Sequence, residues 1–107
     1  MTACDPMQHI AILTLKPEAT EEGQASHRRA EVERVWEMTV SGTLRSIHFF
    51  SGAGHGAVLH LEAADRGEAE AAVQSLPMVA AGLLQAEVLT LAPFTGLAAL
   101  FAASAPA

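Results

Sequence analysis

Residues 44–62 read LRSIHFFSGAGHGAVLHLE and predict a β-hairpin. Two runs rich in β-forming residues, Leu44 to Phe50 and Ala57 to Glu62, are separated by SGAGHG, a glycine-rich segment suited only to a turn. The rest of the fold follows by working outward from this hairpin in both directions.

On the N-terminal side, the run from Gln8 to Lys16 reads QHIAILTLK and stops at Pro17. It predicts a strand that is apolar on both faces, and therefore central and covered on both sides. An amphipathic helix is expected next, over roughly residues 24–40, with Gly42 just past its end. The apolar positions expected to face the core are Ala25, Val32, Val35, Trp36 and Thr39. The opposite, solvated face is expected to carry His27, Arg28, Glu31, Arg34 and Glu37.

On the C-terminal side, a second helix is expected to begin near Asp65, whose side chain can cap it in a capping box with Glu68. Pro77 is expected to end or kink this helix, because proline interrupts the helical hydrogen-bond ladder. A short apolar turn, Met78 to Gly82, then leads to the last strand, Leu83 to Leu91.

The order β-α-β-β-α-β predicts a ferredoxin-like α+β fold, with two helices on one face of a four-stranded antiparallel sheet. The 107 residues form a single domain, with a core over about 7–94 and an apolar C-terminal arm over 95–107. Half of the residues are hydrophobic, so we expect a second copy to cover the other sheet face and the arm to lie on that partner. The sequence therefore predicts a homodimer or a higher homo-oligomer.

Charge excludes two classes of partner. Twelve acidic residues against six Lys and Arg give a formal charge of −6, which argues against nucleic acid and anionic membrane. One cysteine excludes an internal disulfide framework and a cysteine-based zinc site. No signal peptide or membrane-length apolar run is present in the sequence, so we expect a cytoplasmic location.

Several short motifs resemble the muconolactone isomerases and their relatives in the dimeric α/β-barrel superfamily. They are the segments Gly42-Thr43-Leu44-Arg45, Ala53-Gly54-His55 and Leu76-Pro77, with support from Lys16-Pro17 and Arg34-Val35-Trp36-Glu37. The resemblance implies a ferredoxin-like dimeric fold and isomerase chemistry that moves a proton on a small lactone or cyclic unsaturated acid without a cofactor. The sequence departs from the isomerase pattern in having no tyrosine and a longer turn before His55.

His48, His60 and Arg45 are the expected catalytic residues. Strand alternation places Ser46, His48, His60 and Glu62 on one sheet face, while Arg45 falls with Ile47 and Phe49 on the other. Imidazoles move protons near neutral pH, and the planar guanidinium of Arg45, within the family-like GTLR motif, suits a carboxylate or enolate. A structural role at the dimer interface for the histidines, and a surface ion pair for Arg45, remain open alternatives.

The residues expected to bind substrate are His9, Trp36, Phe50 and His55. The ligand is expected to be small and either apolar or carboxylate-bearing, and we expect no cofactor and no metal. Two other functions remain open: a cofactor-independent monooxygenase-like protein, which would need an aromatic pocket, and a non-catalytic ligand-binding or assembly module of the same fold.

Overall fold

The computed structural model of the chain describes residues 7–52 and 54–101. Its strands are β1 (Met7–Leu15), β2 (Leu44–Phe49), β3 (Gly56–Ala63) and β4 (Leu84–Thr90), paired antiparallel in the order β2-β3-β1-β4. Its helices are α1 (Glu21–Ser41), α2 (Arg66–Gln74) and α3 (Pro77–Ala80), followed by a 3-10 helix (Gly96–Leu100). The ferredoxin-like β-α-β-β-α-β prediction is therefore confirmed.

Local capping explains where the two long helices begin and end. Helix α1 begins at Glu21, earlier than the predicted residue 24, because the Thr20 hydroxyl caps it by accepting from the Gly23 N–H at 3.0 Å. Gly42 ends α1 with φ 86°, a conformation that glycine adopts without steric cost. Asp65 caps α2 as predicted, since its carboxylate accepts from the Glu68 N–H at 2.8 Å.

The segment after α2 differs from the prediction. Helix α2 ends at Gln74, and Pro77 begins the short helix α3 where a turn over Met78 to Gly82 was expected. Proline suits the first position of a helix because its missing N–H has no intrahelical partner there and its φ is already helical. Pro77 therefore ends one helix and starts the next.

The core lies between the sheet and the helices. One face of each central strand is buried against α1 and α2. These helices contribute the buried side chains of Met38, Ala69 and Val73 to the core. The buried sheet residues are Ala11, Leu13, Leu44, Ala57, Leu59, Leu61, Ala63 and Val88, together with the polar His9. The other sheet face, here called the open face, is not covered by any helix of the described chain.

Helix α1 does not bury the predicted apolar stripe. Met38 is buried and Val35 packs partly against the core, but Val32 is 63% exposed and Trp36 is 66% exposed. Three exposed residues at four-residue spacing form a line along the helix, here called the α1 stripe: Val32, Trp36 and Val40. The prediction that Trp36 faces the core is wrong, because the helix turns the line through Glu31, Val35 and Met38 toward the sheet instead.

No helix in the described part of the chain is both long enough and apolar enough to span a membrane.

Candidate functional site

A cleft of about 550 Å³ opens between α1, α3 and one end of the sheet. That end is formed by the last residues of β1 and β2 and the first residues of β3 and β4. The apolar walls include Leu13, Val35, Ile47, Leu76, Met78 and Leu84. Ligand pockets have volumes of about 300–1,000 Å³ and apolar walls with a few polar groups, so the cleft has the size and lining of a small-molecule site.

Four polar side chains line this cleft: Gln24, Arg28 and Glu31 from α1, and His55 from the β2–β3 connection. Glu31 is half-buried, and one of its carboxylate oxygens accepts a hydrogen bond from the Met78 backbone N–H at 2.9 Å. Burial raises the pKa of the Glu31 carboxyl above its ordinary value, and this hydrogen bond and the nearby His27 only partly oppose the rise. Glu31 is therefore suited to carrying a proton into an apolar site.

Arg28 provides a positive charge at the same cleft. Its guanidinium lies 3.4 Å from the carboxylate of Glu21, and both side chains are mostly exposed. An exposed ion pair of this kind contributes little energy, so an anionic ligand in the cleft competes well for the guanidinium.

The prediction that Glu31 lies on the solvated face of α1 is wrong, because Glu31 is half-buried, whereas Arg28 is mostly exposed as expected. Gln24, Arg28 and Glu31 lie at spacings of four and three residues, which puts them on one helix face, and the same spacing continues to the buried Met38. Polar side chains that continue a buried apolar line are the signal that could have identified them.

Two of the predicted substrate-binding residues, Phe50 and His55, line the cleft. The hairpin holds them there, because the Phe50 N–H donates to the Gly56 carbonyl at 3.0 Å and so closes the turn between them. The Phe50 ring lies over Gly56, where an added Cβ would come within 2.6 Å of the ring. The His55 side chain is exposed at the mouth of the cleft.

The three predicted catalytic residues are not among those that line the cleft. The strand register pairs Ser46 with His60 and His48 with Val58, which places these side chains on the open face, as the alternation argument predicted for Ser46, His48 and His60. The predicted face of Arg45 is wrong, because the register shifts between Leu44 and Ser46 and the extra residue changes the alternation.

Arg45 instead joins a polar network on the open face through an ion pair with Glu62. Its Nε lies 3.5 Å from Glu62 Oε1, and the same carboxylate accepts from Gln8 Nε2 at 3.2 Å. The side-chain oxygen Oε1 of Gln8 in turn accepts from His60 Nε2. The sheet thus separates Arg45 and His60 from the cleft, which lies on its helix-covered side.

The remaining two predicted substrate-binding residues lie elsewhere. The His9 side chain is fully buried, with Nδ1 3.1 Å from the Thr90 hydroxyl and Nε2 3.3 Å from the Ala63 carbonyl oxygen. A carbonyl oxygen only accepts, so Nε2 carries the hydrogen and Nδ1 accepts from Thr90. Trp36 lies on the exposed α1 stripe, one helical turn beyond the cleft residue Val32.

Metal-binding residue types do not cluster in the fold: across residues 7–52 and 54–101, no group of three His, Cys, Asp or Glu side chains is placed to hold an ion. The expectation of no metal and no cofactor stays a prediction.

Comparison with known proteins identifies a fold relative and no family. No protein-family model and no curated protein matches the chain. Among solved structures, the chain is similar to 5-chloro-2-hydroxyhydroquinone dehydrochlorinase (TftG) from Burkholderia phenoliruptrix AC1100, in its complex with 2,5-dihydroxybenzoquinone. The two share 17% sequence identity and a TM-score of 0.68, over 84% of this chain and 98% of the other. This likeness supports the ferredoxin-like α+β fold that the muconolactone isomerase resemblance implied.

Proposed function

We propose that the chain is a small-molecule enzyme that moves a proton on a small lactone or cyclic unsaturated acid without a cofactor. The observation that carries the proposal is the cleft, which combines apolar walls with the carboxyl of Glu31, the guanidinium of Arg28 and the imidazole of His55. Glu31 suits the role of the acid, His55 that of the base, and Arg28 the binding of an anion. This isomerisation requires these three functions.

In this proposal Arg28 binds the substrate carboxylate or polarises the lactone carbonyl. His55 removes a proton from the γ-carbon of the unsaturated lactone, and the C–H electrons pass through the double bond to the carbonyl oxygen as a dienolate. Protonated Glu31 then donates its proton to the carbon beside the carbonyl, and the double bond moves from the α,β to the β,γ position. Solvent then takes the extra proton from His55 and returns a proton to Glu31, which restores both groups. The substrate is isomerised with no net oxidation or hydrolysis.

The fold relative adds support for a cyclic ligand. TftG is described as a dehydrochlorinase in complex with a dihydroxybenzoquinone, a six-membered oxygenated ring. A ring of similar size, bearing a carboxylate or lactone group, would fit the volume of the cleft and place its charged end at Arg28.

The test is exchange and turnover with muconolactone in D₂O, followed by NMR of the substrate. The parent chain is expected to incorporate deuterium and form the isomer, while the Glu31→Gln variant, which keeps an acceptor for the Met78 N–H, is expected to lose at least about 100-fold in kcat. Glu33→Gln is the matched control, because Glu33 is an exposed carboxylate on the same helix and pairs with Arg29. Equal rates for the two variants would reject the role of Glu31.

The open-face histidines remain a second proposal for the catalytic residues, with Arg45 as the anion-binding group. They could act only in a site formed on the open face, because the sheet separates them from the cleft. The double variant His48→Ala/His60→Ala distinguishes the two proposals. The cleft proposal predicts that this variant keeps parental turnover, whereas loss of turnover would favour the open face.

We further propose a homodimer in which the open faces of two sheets pack together. The open face carries Ile10, Ile12, Val58 and Leu89 beside its polar network, and an apolar sheet face of this kind favours burial. Sedimentation is expected to give twice 11.2 kDa at micromolar concentration; a mass of one chain would contradict the dimer. A cytoplasmic location remains a prediction from the sequence.

A further inference from the structure

His27 and Glu31 lie one turn apart on the same face of α1. Side chains at this four-residue spacing are neighbours, with Cβ atoms about 5–6 Å apart. Both side chains are partly buried, whereas the three residues between them, 28–30, are exposed. His27 therefore belongs to the face of α1 that packs on the rest of the protein, and the prediction that placed it on the solvated face is wrong.

Hydrogen bonds within α1 fix the tautomer of His27. Its Nδ1 lies 2.8 Å from the Gly23 carbonyl oxygen and 3.1 Å from the Ser26 hydroxyl oxygen. A carbonyl oxygen only accepts, so Nδ1 carries a hydrogen and the neutral ring has its lone pair on Nε2. Within residues 7–52 and 54–101, Nε2 makes no hydrogen bond. One ring nitrogen is thus anchored to the helix, and the other can take up and release a proton.

The charge of His27 acts on the carboxyl of Glu31. A positive imidazole at this position lowers the pKa of Glu31 and opposes the rise that burial causes. Helix α3, whose Met78 N–H bonds Glu31, contributes no titratable side chain. The other charged or titratable residues that line the cleft or lie one helical turn from Glu31 are Arg28, Arg34 and His55. Arginines stay charged, so the neighbours of Glu31 that gain and lose a proton near neutral pH are the two histidines.

The two histidines lie on different sides of Glu31. His55 lines the cleft, but His27 is not among the lining residues, so its ring stands outside the space that a ligand fills. One carboxylate oxygen of Glu31 is already bound to the Met78 N–H, and a ligand in the cleft covers the other. Solvent then reaches the carboxyl past His27, whose hydrogen-bonded neighbour Ser26 is exposed.

We infer that His27 relays protons from solvent to Glu31 and so restores the acid form of Glu31 after each turnover. This role rests on the proposed function, in which Glu31 gives its proton to the substrate. The N–H bond at Nε2 of protonated His27 breaks as the O–H bond of the Glu31 carboxyl forms, directly or through one water. Nε2 then takes a proton from solvent, and no group is oxidised or reduced. His27 touches no substrate and acts only through Glu31, as a positioning residue for its proton.

Turnover of muconolactone by His27→Ala tests the relay, with Arg29→Ala as the matched control, because Arg29 is an exposed cation on the same helix and pairs with Glu33. His27→Ala is expected to lose about 10-fold in kcat with KM within about twofold of the parent, since Arg28 still binds the substrate. Imidazole added to the buffer carries protons in place of the missing side chain and is expected to restore most of the lost kcat. Arg29→Ala is expected to keep the parental kcat. Parental kcat in His27→Ala, or a loss that imidazole does not restore, would overturn the inference.

A titration without substrate separates this inference from the proposed reaction. NMR follows the side-chain carboxyl carbon of Glu31 and the ring protons of His27 across pH in the 107-residue chain. Each signal is expected to respond to the titration of both groups, because the charge of one acts on the other. The Glu31 midpoint is expected to move to higher pH in His27→Ala and to move less in Arg29→Ala.

An unchanged Glu31 midpoint in His27→Ala would show that the two groups are not coupled, and the relay would be rejected whatever the turnover. A shifted midpoint in a chain that does not turn over muconolactone would reject the proposed reaction and support the coupling of His27 with Glu31. The two failures are therefore distinguishable.

Discussion

Replacing His9 with alanine is expected to destabilise the fold strongly. The imidazole is fully buried and hydrogen-bonded to the Thr90 hydroxyl at 3.1 Å and the Ala63 carbonyl at 3.3 Å. Removing a large buried side chain costs about 2–5 kcal/mol, and each lost hydrogen bond adds about 0.5–1.5 kcal/mol. We therefore expect the free energy of unfolding to fall by about 3–5 kcal/mol.

The assay is urea unfolding followed by far-UV circular dichroism, with His55→Ala as the matched control. His55 is an exposed histidine on the connection between β2 and β3, so its replacement is expected to change stability by no more than about 0.5 kcal/mol. Each kcal/mol corresponds to about 4–8 °C in Tm, so the His9 variant is expected to melt more than about 10 °C below the parent.

A loss of less than about 1 kcal/mol in His9→Ala, similar to the control, would refute the reasoning. It would mean that the imidazole is not packed and bonded as described, and that His9 could act as a ligand-binding residue after all. A large loss would instead support a structural role for this histidine.

Two further substitutions test other parts of the structure. Because burial raises the folded-state pKa of Glu31, its contribution to stability is full below the unfolded pKa and is lost as pH rises through the raised pKa. Glu31→Gln is therefore expected to gain stability relative to the parent as pH rises from the ordinary carboxyl pKa through the raised one, measured by urea unfolding; a difference independent of pH would contradict this. Gly56→Ala puts a Cβ against the Leu13 carbonyl oxygen and 2.6 Å from the Phe50 ring, so calorimetry is expected to show a loss of about 1–3 kcal/mol, and an unchanged Tm would show that the hairpin packs differently.

The fold could be predicted because its determinants are local. The apolar run of β1, the glycine-rich hairpin turn and the cap at Asp65 each specify their element within a few residues. Gly42 likewise ends α1 where the sequence predicted, because a left-handed φ at that position favours glycine.

The site could be predicted only in part, because its position depends on which helix face meets the sheet. The apolar residues Val32 and Trp36 indicated one face of α1, but the helix packs through the line that contains Glu31 and Met38. The rotation of α1 about its own axis is decided by its tertiary contacts with β2 and α3. The periodicity of the sequence does not decide it, because the apolar residues of this helix are scattered around its axis.

The histidines show the same limit within the sheet. Strand alternation correctly placed His48 and His60 on one face, but it could not tell which face adjoins a cavity. Arg45 was placed on the wrong face because a bulge adds one residue between Leu44 and Ser46, and one residue is enough to reverse the alternation. Nothing in the local sequence marks that bulge.

The central claim is that the cleft on the helix side of the sheet binds the small molecule. Its most direct test is an NMR titration of the 107-residue chain with muconolactone. Backbone amide shifts at Arg28, Glu31 and His55 are expected to move together and to saturate with one dissociation constant. Shifts confined to His48 and His60 would contradict the account, because they would place the ligand on the open face.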